Sequence, residues 1–260
     1  GFGEWLSADG RVRLGHRRLS IIDLSERGAQ PLHSIDGRYT IAFNGEVYNY
    51  RALREELRGT GWQFHSDSDT EVVIGMYARH GADMLPRLRG MFAFALWDNE
   101  TRTLFCARDP YGIKPLYYAD DGRAIRIASQ VKALLAGGAV PAEIDHVSLL
   151  DFLMLGSVPE PATIYTAIRA LPAGSWMTVD GEGVKGPISY FSVAAVLADG
   201  WKDDKMERLK NGENGDERDI DAKVAAALRD SVAHHMIADV PVGAFLSAHR
   251  QSYDGPQNPS

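Results

Sequence analysis

The chain has 260 residues and a formal net charge of −7 at pH 7, and this length allows one large domain or one domain with part of another. The charge argues against the clustered basic face that nucleic-acid binding needs, so we expect small molecules or proteins as partners and no nucleic acid. The single cysteine, Cys106, excludes an internal disulfide, and because we find neither a secretory leader nor a bilayer-spanning apolar run, we expect a cytoplasmic location and no membrane partner.

Short strand-like runs, separated by turns rich in Gly, Asp and Asn, fill residues 1 to about 130. The run "RYTIAF" predicts a strand. The segment "MFAFALWDNETRTLFCARD" predicts a hairpin with strands over 91–97 and 102–107, joined by the turn-forming "DNET". The segment "PLYYADDGRAIRIAS" predicts a second hairpin around "DDG".

The Asn-Gly pair in "FNGE" has two readings. Asn-Gly after an apolar run is the strongest short signal for a hairpin turn. However, the following "VYNYRALREEL" offers Asn49 as a helix cap, with Leu53 and Leu57 one turn apart, and this predicts a strand, a tight turn and a helix. Such a turn would present the Asn44 side-chain amide and the Gly45 N–H as two donors to a developing oxyanion. Spacing alone favours a plain turn over a site.

Two helices are indicated by capping residues and apolar spacing. In "SDSDTEVVIGMYARHG", Ser68 lies three residues before Glu71, which is the spacing of a capping box, and Gly81 marks the helix end. The apolar face of this helix consists of Val72, Val73, Met76 and Tyr77. In "DHVSLLDFLMLG", Asp145 predicts the N-cap of a helix that ends at Gly156.

Two charged positions have both an ordinary and a ligand-binding reading. Arg17 and Arg18 precede an apolar run, where a guanidinium is usually solvated but also suits two-point binding of a carboxylate. Asp69 lies in the first turn of a predicted helix, where the helix dipole favours a carboxylate by about 0.3 to 1 kcal/mol. A carboxylate there is also able to receive the ammonium of an amino acid. Position alone favours the ordinary reading for both.

Three other patterns are interpreted as structural. The stretch "GEGVKG" at 181–186 has the spacing of a dinucleotide-binding motif, but Pro187 follows and no helix begins, so we interpret it as a loop. His234 and His235 are adjacent and point to different sides of a helix, which is wrong for shared metal ligation. Cys106 lies inside a predicted strand, where a small buried thiol is expected rather than a nucleophile.

Hairpins and a few helices, without a regular strand-helix rhythm, predict an α+β layered fold. Apolar periodicity is lost in "DGWKDDKMERLKNGENGDERD", and we predict a charged linker over 191–219. In residues 220–247 we predict a helix followed by a short strand over 240–246. These two elements would begin a second, α/β-type domain. Val224, Leu228 and Val232 lie at four-residue spacing in that helix. Residues 248–260 predict a disordered tail.

Several long motifs, in matching order and spacing from about residue 1 to 247, resemble glutamine-dependent asparagine synthetases. These motifs are "GHRRLSIIDLS…GAQPL", "FNGEVYNYRALREEL", "SDSDTEVVIGMYARHG", "LRGMFAFALWD", "ARDPYGIKPLYY" and "ADVPVGAFLS". The resemblance implies a class II glutamine amidotransferase domain over 1–190 with an N-terminal-nucleophile hydrolase-type fold, a four-layer sandwich of two antiparallel sheets between helices. A fragment of an α/β ATP-pyrophosphatase-type synthetase domain would follow.

The same resemblance implies a function and its residues. The first domain would hydrolyse L-glutamine, and the second would use the ammonia, with ATP and magnesium, to amidate L-aspartate. Arg18 would bind the α-carboxylate of glutamine and Asp69 its α-ammonium, while Asn44 and the Gly45 N–H would form the oxyanion hole. Glu46 and the backbone of a neighbouring segment would line the pocket. That segment consists of Leu19, Ser20, Ile21 and Ile22.

The chain departs from the family pattern at both ends. The family nucleophile is an N-terminal Cys whose own α-amine is the base, whereas residue 1 here is Gly. We therefore expect that a Cys-bearing strand precedes Gly1 in the parent protein, and that the chain as given is inactive. After "VPVGAFLS" the family continues with a Gly-rich pyrophosphate loop, but this chain continues "AHRQS". Only Leu246 and Ser247 remain as an ATP-binding remnant, so the implied ATP and magnesium site is incomplete.

Two alternatives stay open. The chain could be a non-catalytic glutamine-binding module, or an amidotransferase of the same architecture with a different acceptor. The sequence leaves the oligomeric state open, with a homodimer as one option.

Overall fold

Eleven strands form three antiparallel sheets in the part of the chain that the computed structural model describes, residues 1–17, 22–23, 25–202, 217–237 and 239. The strands are β1 Phe2–Leu6, β2 Arg13–Arg17, β3 Leu32–His33, β4 Tyr39–Val47, β5 Gly90–Asp98, β6 Thr103–Arg108, β7 Tyr117–Asp120, β8 Ile125–Ala128, β9 Arg169–Ala170, β10 Ser175–Asp180 and β11 Gly183–Ser189. The helices are α1 Tyr50–Gly59, α2 Asp69–His80, α3 Val131–Ala136, α4 His146–Leu155, α5 Val193–Lys202 and α6 Glu217–His235, with short 3-10 helices at Glu26–Gly28 and Gly81–Arg87.

The largest sheet has six strands in the order β11-β10-β6-β5-β4-β3. Its central pair, β4 and β5, runs in continuous register from Tyr39 opposite Asp98 to Val47 opposite Gly90. Two glycines permit this close pairing. A Cβ at Gly45 would lie 2.1 Å from the carbonyl oxygen of Met91, and a Cβ at Gly90 would lie 2.1 Å from that of Glu46.

Helices α1 and α2 cover one face of the six-stranded sheet, and together they enclose a core of large apolar side chains. Leu53 and Leu57 lie one turn apart on α1 and are buried against this face. The sheet contributes four phenylalanines that are almost fully buried. These are Phe43, Phe92, Phe94 and Phe105. Burial of aromatic and aliphatic side chains on this scale is the main stabilising contribution to the domain.

Two separate small sheets cover the opposite face, β1-β2 and β8-β7-β9, and we call them together the second layer. Leu14 of β2 and Leu116, just before β7, pack there on Ala93, Ala95 and other residues of the six-stranded sheet. Helix α3 packs on the outer side of the three-stranded sheet through Leu134. The predicted antiparallel sheets with helices outside are therefore confirmed. The second of the two predicted sheets is divided into two separate sheets in the described residues. The ATP-pyrophosphatase-type fragment stays a prediction.

A cavity of about 1110 Å³ separates the two parts of the second layer. Consecutive residues of β2 and of β8 line it, and within the described residues each of these strands lies at an edge of its small sheet. Small side chains of the six-stranded sheet, Ala42, Ala93 and Ala95, form part of its wall.

Several local predictions are confirmed. The two hairpins form as β5-β6 and β7-β8. Ser68 caps α2 by accepting a hydrogen bond from the Thr70 N–H, and Gly81 is its C-cap. Asp145 caps α4, which ends before Gly156 in the left-handed conformation.

The capping box at α2 is only half formed. The Glu71 carboxylate accepts hydrogen bonds from the backbone N–H groups of His65 and Ser66, at 2.9 and 2.8 Å, and the N–H of Ser68 donates to Ser66 instead. Glu71 therefore orders the loop before the helix, because its carboxylate reaches further back than the capping box requires.

Both readings of the Asn44-Gly45 pair as a turn are wrong. The strand β4 continues through both residues to Val47, because β5 pairs with it along its full length. The bend falls at Tyr48 and Asn49, and the Asn49 side chain does not cap α1. It donates to the carbonyl oxygen of Arg87 and accepts from the N–H of Arg89.

The interpretation of "GEGVKG" as a loop is also wrong beyond its first residues. Gly183–Ser189 is the edge strand β11, paired with β10, and an edge position tolerates Pro187. Within the predicted linker, α5 occupies 193–202 and α6 begins at Glu217. The domain limits remain predictions, and the strand predicted over 240–246 and the tail over 248–260 lie outside the described residues.

Candidate functional site

A cavity of about 190 Å³ lies at the end of β4, where this strand meets the start of α2. Five of the residues proposed from the sequence line it. These are Ile22, Asn44, Gly45, Glu46 and Asp69. The remaining lining residues are His16, Arg17, Gln30, Phe43, Thr70 and Lys114. The structure thus brings one strand segment and one helix start together around a space suited to a small molecule.

The outer edge of β4 supplies a backbone donor to this cavity. The Phe43 N–H donates to Oε1 of Gln30 at 2.6 Å, and the Val47 N–H donates to Oδ2 of Asp69 at 2.9 Å. Both N–H groups therefore point away from β5. Because N–H directions alternate along a strand, the Gly45 N–H lies on the same edge, between these two. The side chain of Asn44 projects on the opposite face from Phe43 and lines both this cavity and the larger one.

Asp69 is the first residue of α2, and its side chain is buried. Burial is the main cause that raises its pKa to about 6, and the nearby carboxylate of Glu46 raises it further. Hydrogen bonds from the N–H groups of Val47 and Thr70 act in the opposite direction. A carboxyl with this pKa is poised to ionise fully when a cation binds beside it.

Glu46 lies two residues after Asn44 on the same face of β4 and is also buried. Burial raises the pKa of Glu46, while the charges of Lys114 and His235 lower it. Two desolvated carboxylates that border one cavity repel each other, so their surroundings favour a cation such as an ammonium group. The negative charge of these two carboxylates is chemically suited to the amino end of an amino acid.

Sequence reasoning gave no role to five lining residues. Gln30 lies inside the quoted "GAQPL". Its Oε1 accepts a hydrogen bond from the Phe43 N–H at the edge of β4, and its Nε2 donates to the Thr70 hydroxyl at 3.4 Å. Lys114 lies in the quoted "ARDPYGIKPLYY". His16 comes from β2, next to Arg17, for which the sequence had offered a ligand-binding reading. Their motifs were visible, but no local signal shows that segments this far apart share a cavity.

Several proposed residues cannot be placed. Arg18, Leu19, Ser20 and Ile21, and the ATP-binding remnant Leu246 and Ser247, lie outside the described residues. Cys106 is described, fully buried in β6, and burial raises the pKa of its thiol to about 12. It is therefore not an activated nucleophile, as predicted. Across the described ranges, no helix is both long and apolar enough to cross a membrane.

The comparisons with known proteins identify the family of the chain. The family described as "Glutamine amidotransferase domain" matches residues 1–191, and the chain therefore belongs to the glutamine amidotransferases. Among curated relatives, a putative glutamine-hydrolysing asparagine synthetase of Mycobacterium bovis is 41% identical over 94% of this chain and 37% of that protein. Asparagine synthetase 1 of Bacillus subtilis is 40% identical over 92% of this chain and 35% of that protein.

Two further relatives show the range of the similarity. A protein of Gibberella zeae named amidase chry2 is 43% identical over 94% of this chain and 34% of that protein. Among solved structures, glutamine phosphoribosylpyrophosphate amidotransferase from B. subtilis matches with a TM-score of 0.47 and 26% identity, over 66% of this chain and 34% of that one. The chain spans about a third of the length of the curated relatives it matches.

Proposed function

We propose that the 190 Å³ cavity binds L-glutamine and that the domain hydrolyses its side-chain amide to glutamate and ammonia. The observation that carries this proposal is that an unusual set of groups borders one cavity. Asn44 and the backbone of Gly45 offer hydrogen-bond donors, and the buried carboxylates of Glu46 and Asp69 offer negative charge. An amino acid with a side-chain amide matches both halves of this set.

Each group has a distinct role in the proposed reaction. Asp69 and Glu46 receive the α-ammonium of glutamine, and Arg18 binds its α-carboxylate. When a nucleophile attacks the amide carbon, negative charge develops on the amide oxygen. The Asn44 side-chain amide and the Gly45 N–H donate hydrogen bonds to this oxygen, and donors fixed in advance in a desolvated site stabilise it most effectively. Collapse of the intermediate breaks the C–N bond and releases ammonia, which takes up the proton lost by the nucleophile, and water then hydrolyses the glutamyl group from the nucleophile to give glutamate.

The proposed nucleophile is a Cys on a strand ahead of residue 1, with its own α-amine as the base. The 1110 Å³ cavity supports this location. It lies between β2 and β8, which are edge strands of the small sheets in the described part of the chain, and its wall of alanines leaves room for an extended segment. Asn44 and His16 line both cavities, so a residue in the larger one could come next to the oxyanion donors.

The whole protein would use the ammonia for ATP-dependent and magnesium-dependent amidation of L-aspartate, as a cytoplasmic asparagine synthetase. The alignment to asparagine synthetases, which covers 92–94% of this chain at 40–41% identity, supports this part of the proposal. In it, residues 1–190 form the glutaminase domain and residues 220–247, including Leu246 and Ser247, begin the synthetase domain. A second candidate keeps the glutaminase and changes the acceptor, and its support is the 43% identity to a protein that is named an amidase and not an asparagine synthetase.

A glutaminase assay with matched polypeptides tests the proposal. The 260-residue polypeptide is compared with versions that begin with a Cys-led strand or with the same strand led by Ala. We expect glutamate release above background only from the Cys-led version. Turnover by the 260-residue polypeptide itself would refute the proposed nucleophile. Tight glutamine binding without turnover in any version would favour a non-catalytic glutamine-binding module.

A further inference from the structure

Lys114 lies on a loop that two buried side chains hold in place. The carboxylate of Asp109, which is fully buried, accepts hydrogen bonds from the N–H groups of Tyr111 and Ile113, each at 3.0 Å, and from that of Lys114 at 2.9 Å. Its Oδ2 also accepts from the N–H of Phe92 on β5 at 3.2 Å. One carboxylate thus fixes the loop against the six-stranded sheet.

Arg108 fixes the same loop from the other side. Its guanidinium donates to the carbonyl oxygens of Lys114 and Gly112, at 2.9 and 2.8 Å, and to that of Leu171 at 2.7 Å. It also forms an ion pair with Glu160 at 2.8 Å. Both backbone polar groups of Lys114 are therefore bound, and the position from which its side chain reaches the cavity is set by buried interactions.

The cavity places this lysine opposite buried negative charge. Glu46 faces Lys114, Asp69 and Tyr48 within the domain and His235 from α6, and Lys114 is the cation with the largest effect on it. In the part of the chain that the structure describes, no direct ion pair joins Lys114 to Glu46, so the two charges act on each other across the cavity. The space between them remains available to a ligand.

We propose that Lys114 is a positioning residue of the glutamine site, whose ammonium keeps the buried Glu46 ionised so that Glu46 and Asp69 together receive the α-ammonium of glutamine. This inference rests on the proposed function. Without Lys114, the charge of His235 alone would oppose the desolvation of Glu46 and its repulsion from Asp69, and the pKa of Glu46 would rise further, so that more of Glu46 is protonated at a given pH. A protonated Glu46 would offer the ligand no charge.

The first experiment measures the ionisation of Glu46 in the ligand-free 260-residue chain by carbon-detected NMR of its carboxyl. In Lys114→Met we expect the midpoint to rise by about half a pH unit or more, since a facing positive charge is removed. Lys114→Arg, which keeps the charge, should titrate like the wild type. Arg17→Met removes another basic side chain that lines the cavity. Arg17 is exposed, so its charge is screened, and the midpoint should shift less. An unchanged midpoint in Lys114→Met overturns the proposal.

The second experiment measures L-glutamine affinity as a function of pH by calorimetry. Relative to wild type, Lys114→Met should bind at least about three-fold more weakly at acidic pH, and the difference should shrink as the pH rises and Glu46 ionises in both proteins. Lys114→Arg should follow the wild type, and Glu46→Gln should abolish the pH dependence of the Lys114→Met effect. A loss of equal size at every pH would show a merely structural role and overturn the proposal.

Absence of glutamine binding in the wild type overturns the proposed function. In that case the carboxyl titration alone still decides whether Lys114 controls the ionisation of Glu46.

Discussion

The two faces of the six-stranded sheet are built differently. On one face, α1 and α2 close a continuous core in which Phe43, Phe94 and Leu57 are almost fully buried. On the other face, two small sheets leave a cavity of about 1110 Å³ between their edges. The helical face contributes stability, whereas the second layer contains the open space that borders the proposed oxyanion donors. We infer that packing on the helical face holds β4 rigid. The opposite face and the outer edge of β4 are then fixed in position for the proposed catalytic groups.

The largest expected effect compares the same substitution on the two faces. Leu57→Ala removes a side chain packed on all sides and should lower the free energy of unfolding by about 2 to 5 kcal/mol. Leu14→Ala should cost clearly less, because Leu14 lines the large cavity and has fewer contacts to lose. Urea denaturation of both variants measures the difference. Equal losses would show that the second layer is as tightly packed as the helical face.

The next effect concerns how the free energy of unfolding depends on the ionisation of Asp69, at the end of β4. Since burial raises the pKa of Asp69 to about 6, above its ordinary 3.8, the native state binds more protons than the unfolded chain between these values. The free energy of unfolding therefore falls as pH rises through this window, by about 3 kcal/mol in total. Asp69→Asn keeps an oxygen acceptor for the Val47 N–H and removes the charge.

Asp69→Asn should accordingly raise the free energy of unfolding by up to about 3 kcal/mol near pH 8 and by much less near pH 4.5, while weakening glutamine binding. Denaturation at the two pH values measures this. Destabilisation of similar size at both would contradict a buried, pKa-raised carboxylate.

A third effect compares two strand glycines. Gly45→Ala places a methyl group 2.1 Å from the Met91 carbonyl oxygen, so β4 and β5 must separate, and we expect a loss of about 1 to 3 kcal/mol with loss of glutamine binding. Gly15→Ala on β2 is the matched control, because its nearest heavy atom would lie at 3.9 Å. A Gly45→Ala protein that binds glutamine normally would exclude the close β4-β5 register.

The smallest effect concerns α6, whose end reaches the domain beside the site. The ring centroids of His235 and Tyr48 are 4.7 Å apart, and Asp230 forms an ion pair with Arg89. His235→Ala should lower stability by about 0.5 to 1 kcal/mol through loss of the ring contact. His234→Ala should change stability less, because in the described residues the Nδ1 of His234 contacts the Asp230 carbonyl and carboxylate of its own helix. Equal effects would mean that the ring contact does not hold α6.

Local signals predicted much of the fold, because they depend on neighbours in sequence. Both hairpins, the Ser68 cap and the Asp145 cap need only a few adjacent residues. The course of β4 through Gly45 was missed, because it depends on pairing with β5, whose Gly90 lies far along the chain. A residue pair that favours a turn can remain in a strand when a partner strand, distant in sequence, pairs with it.

The site divides in the same way. Motifs shared with a family indicated Asn44, Gly45, Glu46 and Asp69, and the structure brings these four to one cavity. Lys114 received no role, because its place depends on a loop fixed by buried Arg108 and Asp109. Contacts of this kind, between strand ends and loops far apart in sequence, leave no periodic pattern.

The most direct test of the central claim is an amide-resolved NMR titration of the chain with L-glutamine. The account predicts saturable shifts of the Gly45 and Val47 backbone N–H signals and of the Asn44 side-chain amide, and Asp69→Asn should abolish them. Saturable binding with shifts confined to Ile125 and Ile127, which line the larger cavity, would contradict the account, as would unchanged affinity in Asp69→Asn.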